Sequence, residues 1–519
     1  MKTGDYRRDY AAYAAALERA RYDFHTGISL DVRLAPVQDR YADLWTPGTI
    51  DDLTRACEEA LTGFEIERTA LSALLRAAQL GHLEACSAEA SGELMRCTAS
   101  TRFEWNGAPL AADDGVDALA VEPDAARRRE FSSRWFDALR ACDDLRAARF
   151  DTLRQAAHAL GLKSYFGFLS EAAETEVESL CVGADDFLER TERVYNASLF
   201  EWFTARHLPA ADARAPVYAD SLFLTRLSHL DPYFPAGELR ATYDATMSGL
   251  GIRVGRQLNV RIESAVSEDE KMRAACFALN PPGDVRLVYQ GEGGVNFYGA
   301  FFAAAGRAQH FAWVSPDLAA RYPELIHAPD ETTRAGFGLL FSGLLADAGW
   351  LAANRHVRPS VASEITRSFA LVELYRARRA CVRLRQQQVL DQAPDSRSEH
   401  LAAAYTTALE EATSFRAHPA LYLQDLLPVS LHGTGAGESV ELLPAVYLRA
   451  RLFATSLREY LRTRHGHRWW STRGAADELI DMWNTGSRYT VEELASLVGL
   501  GAPDFDLLAE LTEAVLTRE

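Results

Sequence analysis

The stretch GGVNFYGAFFAAAGRAQHFAWVSP occupies residues 293–316, and the reading of the whole chain starts from it. After Gly293 and Gly294 comes a run with few polar side chains. A helix apolar on nearly every side belongs inside a core, not on a surface. Immediately before it, residues 252–266, 274–279 and 284–290 alternate well enough to predict three strands of one small sheet. Further upstream, Arg102 to Leu110 contains Asn106-Gly107, the dipeptide of a type I′ hairpin. Everything else is helical in period, with apolar residues three and four apart in 51–78, 124–160, 185–207, 363–389 and 399–415. There is no internal repeat and no low-complexity linker. The expected fold is mainly α, with a small sheet ending near residue 290.

Composition narrows the function classes. The 519 residues are 48% hydrophobic, 25% charged and 10% aromatic, which is ordinary globular usage. A net charge of −18 argues against a nucleic-acid or anionic-membrane partner, though not against a local basic pocket. The most apolar segments, 293–306 and 335–346, fall short of the roughly 18 residues that a membrane span needs. MKTGDYRRDY has no apolar signal core, and the seven cysteines are odd in number with no CxxC. The expectation is a cytoplasmic protein with reduced structural thiols. Lysine occurs only at positions 2, 163 and 271; with the abundant alanine this suggests a GC-rich bacterial genome.

The 293–316 stretch resembles the zinc metallopeptidases of the thimet oligopeptidase and oligoendopeptidase F type. Gly293, Gly294, Tyr298, Phe302, Ala305 and Gly306 fall into their active-site frame without a gap, as do Ala308, Gln309, His310, Phe311 and Ala312. The likeness runs the full chain: 230–252 resembles the segment leading into the family's sheet, 446–470 and 479–499 its closing helices, and 103–110 with 122–131 its helical lobe. The resemblance implies a two-lobed, zincin-like helical scaffold with a small sheet beside a deep cleft. Residues 1–175 would form an N-terminal helical lobe with the hairpin. Residues 176–519 would form the peptidase-like lobe, with helices 293–314 and 331–351 side by side at the cleft floor.

The departures from that frame carry the functional reading. In HExxH the two histidines bind zinc from one helix face, and the glutamate takes a proton from zinc-bound water. Here the histidine positions are Ala303 and Arg307, the glutamate position is Ala304, and the third ligand position on the next helix is Ala335. Alanine has no donor atom and arginine stays protonated, so the resemblance implies a scaffold without metal or other cofactor and without zinc peptidase chemistry.

Two readings of Arg307 stand open: pairing with Asp330 or Glu331 as a plug, or binding a ligand's carboxylate or phosphate, together with Arg334. Arg449 and Tyr447 match the family's segment near the substrate groove, where Leu443 and Val446 replace polar groups. Gly293 and Gly294 either make a tight strand-to-helix turn or end an edge strand that pairs with an extended peptide. His310 is a core histidine or a catalytic group, and Tyr298, Glu331 and Tyr447 complete the acid–base candidates. His465, His467, Cys276 and the 433–439 loop GTGAGES carry weaker signals. The expected function is binding of a peptide or small anionic molecule in the former active-site cleft. The alternative is a metal-independent enzyme performing cyclisation, acyl transfer or isomerisation in a biosynthetic pathway. Oligomeric state is not readable from the sequence.

Overall fold

The computed structural model describes residues 3–29, 34–60, 65–170, 174–205, 216–264, 274–291, 293–328, 330–427 and 443–518. Helices dominate, and two small sheets accompany them. Strands β1 (Arg102–Trp105) and β2 (Ala108–Ala111) form the expected hairpin, with Asn106 and Gly107 at φ 51° and 77° as a type I′ turn requires. Strands β3 (Val260–Ser264), β4 (Ala274–Asn280) and β5 (Asp284–Tyr289) form one sheet in the order β3-β5-β4. β3 pairs with β5 in parallel and β4 pairs with it antiparallel, so β5 is the central strand.

Behind the sheet lies the helix Val295–Ala312, with fifteen of its eighteen residues buried. Its start is fixed from outside. Asp231, clamped by both terminal nitrogens of Arg226, accepts the Val295 N–H at 2.9 Å and so brings a carboxylate to the helix N-terminus. The preceding turn admits only glycine. Gly293 and Gly294 have φ of 99° and 93°, and a Cβ on Gly294 would stand 2.6 Å from the Asp231 carboxylate.

The helix Thr332–Ser342 crosses the buried helix with almost nothing between the two backbones. A Cβ on Gly306 would lie 2.4 Å from the Phe337 carbonyl, and one on Gly338 would lie 3.0 Å from that of Ala303. The Pro359–Gln392, Pro444–His465 and Phe505–Leu516 helices complete this part of the core, in which Phe337, Phe453 and Trp483 meet edge to face.

Several sequence expectations are corrected. The helix expected over 331–351 ends at Ser342 and passes through a 3₁₀ turn. It then bends by 73° into Ala348–Asn354, where Asp347 accepts the Trp350 N–H at 2.8 Å as N-cap. The 51–78 segment is two helices, Pro47–Glu59 and Glu65–Cys86, and 124–160 is broken by a 3₁₀ turn at Arg140–Cys142. The first sheet strand begins at Val260, after a 3₁₀ turn at Val254–Arg256. Not all thiols are reduced. Cys97 and Cys142 form a disulfide with Cα atoms 6.0 Å apart, while Cys57, Cys86, Cys181, Cys276 and Cys381 are free. Among the described residues, no single helix is long and apolar enough to cross a membrane.

Candidate functional site

The positions that the resemblance assigns to zinc chemistry sit at the tight helix crossing. Ala303, Gly306 and Arg307 lie one turn apart on one helix, and Ala335 and Gly338 one turn apart on the other. Ala303, Ala304 and Ala335 are buried. A Cβ on Gly338 would touch the Arg307 Nε at 3.5 Å, which places the arginine stem inside the crossing. The side chains here do not fit a metal ion: three methyl groups and a guanidinium offer no ligand atom. Among the described residues, no group of three or more His, Cys, Asp or Glu is arranged to hold one.

The plug reading of Arg307 is not met among the described residues. Arg307 takes part in no ion pair among the described residues, and its buried Nε has no hydrogen-bond partner. Asp330 instead accepts the Thr332 N–H at 2.7 Å at the start of its helix, and Glu331 lies 3.9 Å from Arg334. The physical reason is geometric. Asp330 and Glu331 sit at the mouth of the second helix, whereas Arg307 meets that helix at Gly338, nearly two turns deeper. Arg334 lies over the Phe311 ring at 5.8 Å. Arg307 and Arg334 both act on Cys276, whose thiol is pushed up by burial and by Glu18, with the two arginines opposing. That thiol packs against the core, and its raised pKa disfavours the thiolate.

The remaining candidates are scattered and committed. His310 Nε2 faces the Gly486 carbonyl at 3.1 Å, and burial pushes its pKa down to about 4. Tyr298 donates to the Pro235 carbonyl at 2.8 Å, three turns away on the same helix. Arg449 forks onto Glu492 at 2.8 and 2.7 Å and reaches the Ser170 carbonyl. Gly293 bridges Pro235, and Gly294 donates to the Phe234 carbonyl at 2.8 Å. Their backbone is therefore paired within the chain. The edge-strand reading is also corrected, because the strand leading to them, β5, is flanked on both sides. His465 contacts Glu478 and His467 contacts Arg462, so the two do not converge on a common point. Residues 433–439 lie outside the described residues.

Sequence reasoning missed a concavity near the crossing. A pocket of about 160 Å³ opens beside Ala303, and Arg376, Arg451 and Arg458 are among the residues that line it. Its arginines come from Pro359–Gln392 and Pro444–His465, whose spacing in sequence hides the cluster. Arg451 and Arg458 do stand seven apart, on one helix face, and that was the available signal. Tyr447 adjoins it: the Arg451 guanidinium lies 5.8 Å from its ring centroid, and burial with the Glu373 carboxylate pushes the phenol up to about 12.

No protein-family model matches the chain, and no curated protein sequence does. Solved structures do. PZ peptidase A superposes with a TM-score of 0.67 at 13% identity, covering 98% of this chain and 91% of that one. Trypanosoma cruzi metallocarboxypeptidase 1 gives 0.63 at 14%, covering 99% of both chains. Pyrococcus furiosus carboxypeptidase gives 0.61 at 13%, covering 99% and 97%. The fold is thus that of the helical, zincin-like metallopeptidases, end to end.

Proposed function

We propose that this protein is a metallopeptidase-fold binder: it hydrolyses no peptide through zinc and holds a peptide or small anionic ligand in the former active-site cleft. One observation carries the reading. The two helices that the resemblance makes the carriers of the ligands and the base cross closely, and the positions it assigns to donor atoms hold Ala303, Ala304, Arg307 and Ala335. A half-buried cation with no ion pair among the described residues and a buried Nε lacking an acceptor, Arg307, suits an anionic ligand better than a divalent metal. A metal-independent enzyme is less well supported. Tyr298 and His310 each face a main-chain carbonyl, so they do not converge on one substrate atom.

The test is zinc content and peptidase activity measured together on the full chain. Protein produced with added zinc should carry far less than one zinc per chain, and cleavage of internally quenched peptides should stay at background with or without chelator. One zinc per chain with chelator-sensitive cleavage overturns the reading.

A further inference from the structure

The pocket beside Ala303 has two unlike kinds of lining. Part of it is apolar and includes Leu339, Phe369, Leu508 and Val515. The rest includes three guanidiniums and one carboxylate, those of Arg376, Arg451, Arg458 and Glu373. Arg376 lies 3.2 Å from Glu373, and Arg451 pairs with the same carboxylate. One glutamate cannot neutralise two arginines, and Arg458 has not even a share of it.

Arg458 makes no hydrogen bond or ion pair among the described residues. Its acidic neighbours are engaged elsewhere: Asp347 caps the Ala348–Asn354 helix, and Glu459 pairs with Arg462 at 3.0 Å. The buried Nε atoms of Arg376, Arg451 and Arg458 all lack acceptors. A surplus of half-buried positive charge whose buried Nε donors are unused is costly unless an anion supplies the missing acceptors.

We propose that this pocket binds a small amphiphilic anion, its carboxylate or phosphate held by Arg376, Arg451 and Arg458 and its apolar body lying against Leu339, Phe369 and Leu508. The inference rests on the binding reading above and names the chemistry of the ligand. Size sets the body: a cavity of this volume accommodates about one aromatic ring. The Thr455 side chain, which also lines the pocket, adds a hydroxyl on the turn between Arg451 and Arg458.

Calorimetric titration of the full chain with benzoate and with phenyl phosphate tests the proposal, with benzyl alcohol as the uncharged body and inorganic phosphate as the bare head. At least one aryl anion should bind in the millimolar range or tighter, about tenfold better than benzyl alcohol and than inorganic phosphate. Comparing the two aryl anions separates a carboxylate site from a phosphate site. Arg458→Gln, which breaks no ion pair, should weaken that binding about tenfold without moving the melting temperature.

Saturation by neither anion at about 10 mM overturns the proposal, as does equal binding of benzyl alcohol. Both comparisons use the unaltered protein and so stand even if the variant folds poorly. Undiminished binding in a folded Arg458→Gln protein overturns it as well. A chain that binds peptides but neither probe loses this pocket and keeps the cleft reading. Stoichiometric zinc with peptide cleavage removes the cleft reading whatever the probes do.

Discussion

At the scale of single residues, the decisive fact about Arg307 is that its half-buried side chain has no ion-pair partner among the described residues and its buried Nε no acceptor. Breaking a buried ion pair costs about 3–5 kcal/mol, but removing a half-buried charge that pairs with nothing breaks no such contact and relieves part of a desolvation penalty. Arg307→Met keeps the stem's packing, so its unfolding free energy in urea should stay within about 1 kcal/mol of the parent protein or rise. A loss of several kcal/mol would mean that the guanidinium is anchored. His310 gives a second prediction, shared with His327. Burial pushes both down from 6.5 to about 4, opposed for His310 by the Gly486 carbonyl and reinforced in both by Arg334. Because the folded state binds these protons less readily than the unfolded state, the stability they confer is complete above 6.5. It drains away as pH falls toward 4, by on the order of 3 kcal/mol for each histidine. Urea titrations at stepwise pH values should show this slope, halved in His310→Gln. A flat profile between pH 6.5 and 4 would refute the neutral state of the buried His310 and the half-buried His327.

The crossing of Val295–Ala312 with Thr332–Ser342 turns on glycine in the same way that the chemistry turns on alanine and arginine. Gly306→Ala would drive a methyl into the Phe337 carbonyl, a backbone atom that cannot swing aside, and should cost about 3 kcal/mol. Gly299→Ala, on the same helix, meets nothing within 4 Å and should gain about 0.5–1 kcal/mol from helix propensity. Melting curves for the pair check both signs, and equal effects would show that the crossing is looser than drawn. At this scale the sequence was legible where signals are local. Asn106-Gly107 announced its turn, and the alternation of 274–279 and 284–290 announced β4 and β5. It was illegible where tertiary placement decides. Residues 331–351 read as one helix because apolar periodicity survives the Asp347 cap and the bend. Whether Arg307 meets Asp330 or Glu331 depends on how deep the helices cross, and the arginine pocket gathers side chains from helices far apart in sequence.

Over the whole molecule, a scaffold shared with metallopeptidases at 13–14% identity is held by apolar packing that tolerates almost any change at the crossing's few polar positions. That is why the frame was readable from scattered glycines and aromatics while the ligand was not. The cysteine arithmetic failed for a related reason: cysteines 45 residues apart give no local sign that they meet. Their bond joins the Ala88–Ser100 helix to the turn before Asp143–Ala159 and closes a loop around the hairpin and the Ala125–Leu139 helix. Such a link acts mainly on the unfolded chain, which loses the freedom of the closed loop. Replacing Cys97 and Cys142 by alanine together should therefore lower stability by about 2–4 kcal/mol with the native fold unchanged. Dithiothreitol should lower the parent protein's stability by the same amount and leave the double variant unmoved. Were reduction to change neither, the two sulfurs would be neighbours in the fold and not a bond that supports it.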